Sequence, residues 1–315
     1  MSTWATNLDR YLTIRRSLGY HLGTAARILR RFIAFAEGEH AESMSTDLFL
    51  RWQQSFGQAN RHTWSRRLGT VRLFAQWLHG IDQRHEVPPQ ALIPGRYRRV
   101  RPYIYSDDEI RRVVEAAAEL PSINGIRALT CSTLFGLIAV TGLRVSEALS
   151  LDVTDVDLES GVLSLRRGKF GKARLLPLAD STTIRLAAYA RERDRLLGPM
   201  SDPFFVSDHG ERLTAGGARY NFAVVCQTIG LRPAEKRRRH GRGPRIHDLR
   251  HTFAARTLLH WYRTGRDPTR EMIKLTTYLG HANPAHTYWY IEAVPELLEL
   301  ASQRPETSLA QEARP

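Results

Sequence analysis

Only two cysteines, Cys131 and Cys226, occur in the 315 residues. Both sit in apolar surroundings and neither belongs to a CxxC pair. This argues against a disulfide framework and against a cysteine-held zinc, and no metal is expected. They read as reduced core residues of a cytosolic protein. The N-terminus has no apolar signal-like stretch and no apolar run is long enough to span a bilayer, so a cytoplasmic location without a membrane partner is expected. The basic helices lack the broad apolar face and free lysine face that membrane-surface binding needs. No internal repeat is visible, and no strand pattern occurs before residue 90. The C-terminal two thirds hold no convincing cluster of carboxylates, which disfavours an acidic, metal-dependent nuclease or transposase.

Arginine is abundant. Lys+Arg total 46 against 32 Asp+Glu, a formal charge of +14 with pI ≈ 10.3. A globular chain this basic meets a polyanion, and nucleic acid leads the candidates. The first 100 residues carry 15 arginines, 7 acidic residues and no lysine. Apolar stripes at helical spacing predict four helices there: Leu8 to Leu18, Ala25 to Phe35, Asp47 to Ser55, and about Thr63 to His79. Arg27, Arg30 and Arg31, and then Arg61, Arg66, Arg67 and Arg72, lie opposite those stripes, where they suit phosphate contacts. The bland alternative is a solvated helix face.

Residues 91–103 combine prolines with Arg98 and Arg99 and read as a basic linker, along which a phosphate backbone can run while the flanking domains grip a duplex. The expected organisation is a helical domain at 1–90, this linker, a mixed domain at 104–304 and a disordered polar tail at 305–315. The fold class is mainly α with a small antiparallel β-sheet (α+β). Ser106 to Glu109 forms a capping box that opens a helix. Residues 162–166 and 173–178 alternate as a hairpin whose turn is Gly168-Lys169-Phe-Gly-Lys172. Helices are expected near 107–120, 124–140, 144–150, 181–196, 215–229, 248–264 and 268–279. Lys236, Arg237, Arg238 and Arg239 sit in a basic loop and complete the candidate DNA-binding set.

The chemistry lies in Thr141-Gly-Leu-Arg144-Val-Ser-Glu147, His247-Asp-Leu-Arg250, Leu279-Gly-His281 and Tyr290. A phosphodiester repels nucleophiles and has a poor alkoxide leaving group. Metal-free attack therefore needs cations at phosphorus, a nucleophile and an acid. Arg144 and Arg250 suit the first task, because a guanidinium is permanently charged and bidentate. His247 shares a helix face with Arg250 and suits proton transfer or a phosphate oxygen. His281 follows a glycine helix cap that leaves its imidazole projecting. Lys169, at the hairpin tip, can protonate the leaving 5′ oxygen. The nucleophile is Tyr290 or, less well spaced from His281, Tyr288. Taken singly, each has a plainer reading: a surface Arg144–Glu147 pair, a capping histidine, a core tyrosine, a turn lysine. The set in this order points to one reaction.

These segments resemble the tyrosine recombinase (phage integrase) family, over about residues 3 to 302, and look closer to transposon-encoded integrases than to the short Xer-type proteins. The resemblance implies that Arg144 and Arg250 bind the scissile phosphate and that His247 and His281 complete the phosphate pocket and the proton transfers. It makes Lys169 the general acid and Tyr290 the residue that becomes the 3′-phosphotyrosyl link, with Glu147 supporting. It implies site-specific recombination or integration on double-stranded DNA by four protomers, homo- or hetero-oligomeric, without ATP, metal or other cofactor, in a prokaryotic cytoplasm at the nucleoid. Two departures stand out: 31 residues separate Arg250 from His281, and a basic insertion spans Lys236 to Pro244. Rival readings are an accessory DNA-binding subunit and a type IB topoisomerase-like nicking and rejoining enzyme. The apolar residues after Tyr290, Leu297, Leu298 and Leu300, suit a helix packed on the same chain or on a neighbour.

Overall fold

A computed structural model describes residues 3–55, 57, 59–95, 100–166, 173–200, 202–233, 243–281 and 283–302. The chain divides into two compact units, Met1–Val100 and Arg101–Pro315.

The first unit holds helices α1 (Thr3–Ser17), α2 (Gly23–Gly38), α3 (Thr46–Ser55) and α4 (Arg61–His79). Their apolar residues recur at three- and four-residue intervals, so each helix buries one stripe: Ala26, Leu29, Phe32, Ile33 and Ala36 on α2, and Trp64, Leu68, Val71, Phe74 and Leu78 on α4. Asn60 caps α4, its side chain accepting the Thr63 N–H at 2.8 Å. Trp52 is the hub of the core, with Phe32 and Trp64 each edge-on at 5.3 Å between ring centroids. Leu73 lies on the solvent side of α4, outside the stripe expected to hold it. The first residues of the expected linker belong to this core. Ile93 is buried, and a Cβ on Gly95 would come within 2.7 Å of Ser65 Cβ.

The second unit is built on α6 (Ile126–Thr141), which is apolar nearly all round and correspondingly buried. Against it pack α5 (Asp107–Ala118), α8 (Asp180–Leu197), α9 (Ala215–Thr228) and α10 (Ile246–Arg263). The Ser106–Glu109 capping box opens α5, with reciprocal bonds of 3.1 and 2.8 Å. A short helix, α7 (Val145–Leu149), leads through a 3-10 turn to a three-stranded antiparallel sheet of β1 (Val156–Asp157), β2 (Val162–Leu165) and β3 (Arg174–Pro177). Leu163 pairs with Leu176, and both are buried. Helices α11 (Pro268–Leu279) and α12 (Ala285–Ala293) close a second core with α10, formed by Ala254, Leu258, Met272, Leu275, Leu279, Tyr290, Val294 and Leu297.

Two elements lie beyond the sequence expectation. β1 has only two residues, too few to show alternation. Helix α12 follows Asn283-Pro284 and carries tyrosines, tryptophan and threonine rather than an aliphatic stripe. After it, residues 295–302 are helical again; Leu297 is buried in the chain's own core and Leu298 is exposed. Both cysteines are free and buried. Among the described residues no helix is long and apolar enough to cross a membrane.

Candidate active site

Two glycine turns set the site. Helix α6 ends at Gly142 (φ +64°) and α11 at Gly280 (φ +63°), each in the left-handed region that favours glycine. Space is also short at both. A Cβ on Gly142 would lie 2.5 Å from the Phe253 ring, and one on Gly280 would lie 2.6 Å from Arg174 Nη1. Backbone can therefore approach closely here, and the carbonyls at the helix ends face inward.

Those carbonyls collect guanidinium groups. Three successive carbonyls at the end of α11 accept three different arginines: Tyr278 O from Arg174 Nε at 3.0 Å, Leu279 O from Arg250 Nη2 at 2.7 Å, and Gly280 O from Arg144 Nη2 at 2.7 Å. Arg250 also donates to Gly142 O at 2.6 Å. A helix C-terminus carries unpaired carbonyls and the negative end of the helix dipole, which suits cations. Glu147 lies among them. It accepts from Arg144 Nη1 at 2.5 Å and from Arg174 at 3.0 and 3.1 Å, and is 3.9 Å from Arg250. The Arg144–Glu147 pair is thus real, but it is an interior contact with Glu147 only 4% exposed. Burial alone would raise the Glu147 pKa; hydrogen bonds from Arg174 and from the Arg144 backbone override it, and the pKa falls below the ordinary carboxylate value. One carboxylate shared by three arginines leaves net positive charge. Arg250, at 1% exposure, has its pKa pushed down to about 10, by burial first and then by Arg144, against the opposing pull of Tyr290 and Glu147. It stays charged near neutrality.

Helix α10 supplies His247 from its first turn, which Asp248 caps through the Arg245 N–H at 2.8 Å, and Arg250 from the start of its second. Solvent reaches His247, yet the surrounding protein is dense enough that burial, with Arg250 next, lowers its pKa to about 4. It is neutral at physiological pH. Next to it, at 4.6 Å between ring centroids, is His251.

Tyr290 lies on the inner side of α12, 1% exposed, with its hydroxyl 2.8 Å from His251 Nδ1. Tyr288, two residues earlier and so across the helix, is 43% exposed. His281 does not project freely as its turn suggested. Its Nδ1 is 2.7 Å from Thr287 Oγ1, and Thr287 in turn accepts from Thr276 Oγ1 at 3.0 Å. The turn after α11 is thereby fastened to the tyrosine-bearing helix.

The structure therefore brings together Arg144, Glu147, Arg250 and the turn before His281, and ties Tyr290 to His251, the residue after Arg250 on α10. Lys169 lies outside the described residues, as do Arg98, Arg99, Lys236, Arg237, Arg238 and Arg239. In the first unit Arg27, Arg31, Arg66 and Arg67 line one cleft of about 470 Å³ between α2 and α4, with Trp52 at its base. Arg30 and Arg61 are exposed on the same helices without lining that cleft. Arg67 stacks on Trp64, its guanidinium carbon 4.5 Å from the ring centroid. Arg72 is used differently from its cluster, donating to the Pro88 carbonyl.

Three residues of the site escaped sequence reasoning: Arg174, His251 and Thr287. Two had a usable signal. Arg174 shares its strand face with buried Leu176, so a charge stands at an inward position. His251 is four residues after His247, on the same helix face. Thr287 had none, because α12 carries no apolar stripe at helical spacing.

The family model for the phage integrase family matches residues 105–296. A putative integrase/recombinase of Sinorhizobium fredii, y4rB, is 40% identical over 311 residues, covering 97% of this chain and 98% of that protein. The XerC tyrosine recombinase of Chromobacterium violaceum is 30% identical over 236 residues, 72% of this chain and 68% of that one. The fold is similar to that of a lambda integrase fragment (residues 75–356) solved as a dimer bound to a core site, with TM-score 0.62 and 18% identity over 92% of this chain and 96% of that one.

Proposed function

The chain belongs to the phage integrase family, the tyrosine recombinases, and from that premise we propose that the arginine cluster at the end of α11 holds a DNA phosphate for attack by Tyr290. The enzyme is a site-specific DNA recombinase that breaks and rejoins DNA strands. The observation that carries the proposed site is the convergence of Arg144, Arg174 and Arg250 on three consecutive carbonyls. Arginines from β3, α10 and the turn before α7 are held in place with a tyrosine beside them.

In this reading Arg144 and Arg250 grip the non-bridging oxygens and stabilise charge as the phosphorus becomes pentacoordinate. Glu147 keeps the arginines apart and oriented. Neutral His247, together with His281, contributes hydrogen bonds to the phosphate. The Tyr290 oxygen forms a bond to phosphorus, the bond to the 5′ oxygen breaks, and Lys169 protonates that oxygen as the family resemblance implies. The 3′-phosphotyrosyl ester conserves the energy of the broken bond. Rejoining therefore calls for no ATP, and the chemistry assigned to these residues calls for no metal.

Duplex DNA is the substrate. Residues 1–90 act as a DNA-binding domain, 91–103 as a basic linker, 104–304 as the catalytic domain and 305–315 as a tail. Arg27, Arg30, Arg31, Arg61, Arg66 and Arg67, with Arg98, Arg99, Lys236, Arg237, Arg238 and Arg239, supply phosphate contacts. The XerH recombinase and lambda integrase structures similar in fold were solved on DNA, the latter also as a tetramer on a Holliday junction. A tetramer on two sites is accordingly the working assembly here, acting in the cytoplasm on nucleoid DNA.

The test is to express the protein in its host, lyse under denaturing conditions, recover it and sequence any DNA still covalently attached. The wild-type chain is expected to carry DNA sharing a core sequence, and Tyr290→Phe none. DNA attached to Tyr290→Phe would move the nucleophile to Tyr288. No DNA on either, with crosslinking still showing occupancy, would favour an accessory DNA-binding role.

A further inference from the structure

One carboxylate, Glu147, is shared by three arginines, so the way it divides its bonds decides how much positive charge is left for a phosphate. Arg144 meets it with one nitrogen, Nη1, and turns Nη2 to Gly280 O. Arg250 stands off at 3.9 Å and donates from both terminal nitrogens to carbonyls. Arg174 is engaged along its whole guanidinium. Nη1 and Nη2 donate in parallel to the two Glu147 oxygens at 3.1 and 3.0 Å, and Nε donates to Tyr278 O at 3.0 Å. The edges with which a guanidinium grips a phosphate are here turned to protein.

The fold holds Arg174 in this place. It opens β3, paired across the sheet with Leu165, and its side chain is 15% exposed. Its Nη1 lies over Gly280, where a Cβ would come within 2.6 Å of it and 3.4 Å of Arg144 Nη1, so the two guanidiniums rest on one backbone turn. With Arg174 removed, the buried carboxylate would draw its counter-charge from Arg144 and Arg250, the cations meant for the phosphate. We propose that Arg174 is a positioning residue for strand cleavage: it takes up the Glu147 carboxylate, so that Glu147 orients Arg144 without neutralising Arg144 and Arg250. This rests on the reading that those two arginines hold the scissile phosphate.

Charge balance gives the same assignment. Three guanidiniums and one carboxylate leave two net positive charges at the cluster. A phosphodiester brings one negative charge, and a second builds on its non-bridging oxygens as the Tyr290 oxygen bonds to phosphorus. Two positive charges match that state. Without Arg174 one would remain, enough for the bound phosphodiester and short for the transition state. Loss of Arg174 therefore slows cleavage far more than it weakens binding. Removing the Glu147 charge as well returns the balance to two, and part of the cleavage with it.

The experiment uses a duplex carrying the core sequence recovered by host trapping, with the scissile phosphate either natural or replaced by an uncharged methylphosphonate. Single-turnover covalent-complex formation at saturating duplex, and gel-shift affinity, are measured for wild type, Arg174→Ala, Arg174→Lys and Arg174→Ala combined with Glu147→Gln. On the natural phosphate Arg174→Ala is expected to be slower by about 10²-fold, with affinity changed by less than about 2-fold. Arg174→Lys keeps a charge but cannot span both carboxylate oxygens, and is expected to be slower by about 10-fold. The double variant is expected to recover about 10-fold over Arg174→Ala. On the methylphosphonate, where less charge develops, the defect of Arg174→Ala should shrink to under about 10-fold. A purely structural role would slow both substrates alike. Equal defects on the two substrates, no recovery in the double variant, or Arg174→Ala cleaving at the wild-type rate would each overturn this inference alone. Should Arg174→Ala not fold, Arg174→Lys is held to the same comparison of substrates. No covalent DNA on the wild-type chain would overturn the underlying reading and this inference together.

Discussion

Arginine is used in opposite ways in the two units. Around α11 the guanidiniums are buried or nearly so and already bonded: Arg250 to two carbonyls, Arg144 and Arg174 to a carbonyl and to Glu147. Around the α2–α4 cleft Arg27 and Arg66 are exposed side chains on helix surfaces. A guanidinium held by backbone carbonyls is oriented before the phosphate arrives, so little reorganisation accompanies the reaction. An exposed arginine keeps its rotamer freedom until it binds and forfeits it then, which suits an adaptable electrostatic grip on a backbone. Under the proposed function the same residue type serves chemistry in one place and affinity in the other, and the distinction lies in what holds it beforehand.

The most direct way to break that comparison is Arg144→Ala. If Arg144 stabilises charge that develops in the reaction, covalent-complex formation falls by about 10²–10³-fold. Duplex affinity should change little, because one phosphate contact is a small share of the whole footprint. Single-turnover trapping beside a gel-shift titration separates the two. Equal losses in both would place Arg144 with the binding arginines instead.

Glu147→Gln tests whether the prior bonding itself matters. Removing the carboxylate leaves guanidiniums close together without their counter-charge, and losing one partner of a buried pair costs roughly 3–5 kcal/mol. The melting temperature should fall, and trapping should fall with it even at temperatures where the variant is folded. Acid should mimic the change. The Glu147 pKa is depressed, so its stabilisation is present above the ordinary carboxylate value of about 4.3 and is lost as pH drops through its lower folded value. His247 acts in a separate window. Its pKa falls from an ordinary value of about 6.5 to about 4. The unfolded chain then binds more protons between those values, and stability declines as pH falls through that range. Thermal melts across pH should show a decline from 6.5 to 4 that His247→Gln flattens, and a further one below it that Glu147→Gln flattens.

Much of this contrast was legible in the sequence. Motif order and spacing pointed to Arg144, His247, Arg250, His281 and Tyr290, and helical periodicity set the arginines of α2 and α4 on outer faces. What stayed hidden has physical causes. Arg174 owes its place to a carbonyl 104 residues away, Tyr278 O near the end of α11. The bond between His251 and Tyr290 spans 39 residues and depends on α12, whose mixed aromatic and polar composition gives no amphipathic signal. The tether of His281 to Thr287 appears only when α12 folds back on the turn before it. Local pattern reports local structure, and these three contacts belong to tertiary closure.

The smallest expected effect sharpens the other side of the comparison. Arg27→Ala and Arg66→Ala each remove one exposed cation from the α2–α4 cleft and leave the arginines at the end of α11 unsubstituted. Each should weaken duplex binding evenly across sequences and lower the slope of log affinity against log salt by about 1, the signature of one lost phosphate contact. At saturating DNA the trapping rate should equal that of the wild type, since these arginines are not oriented for chemistry. A slope left unchanged would mean that the cleft faces solvent when DNA is bound. A slower rate at saturation would mean that these arginines also position the duplex for cleavage, and the division of labour between the two sets would then fail.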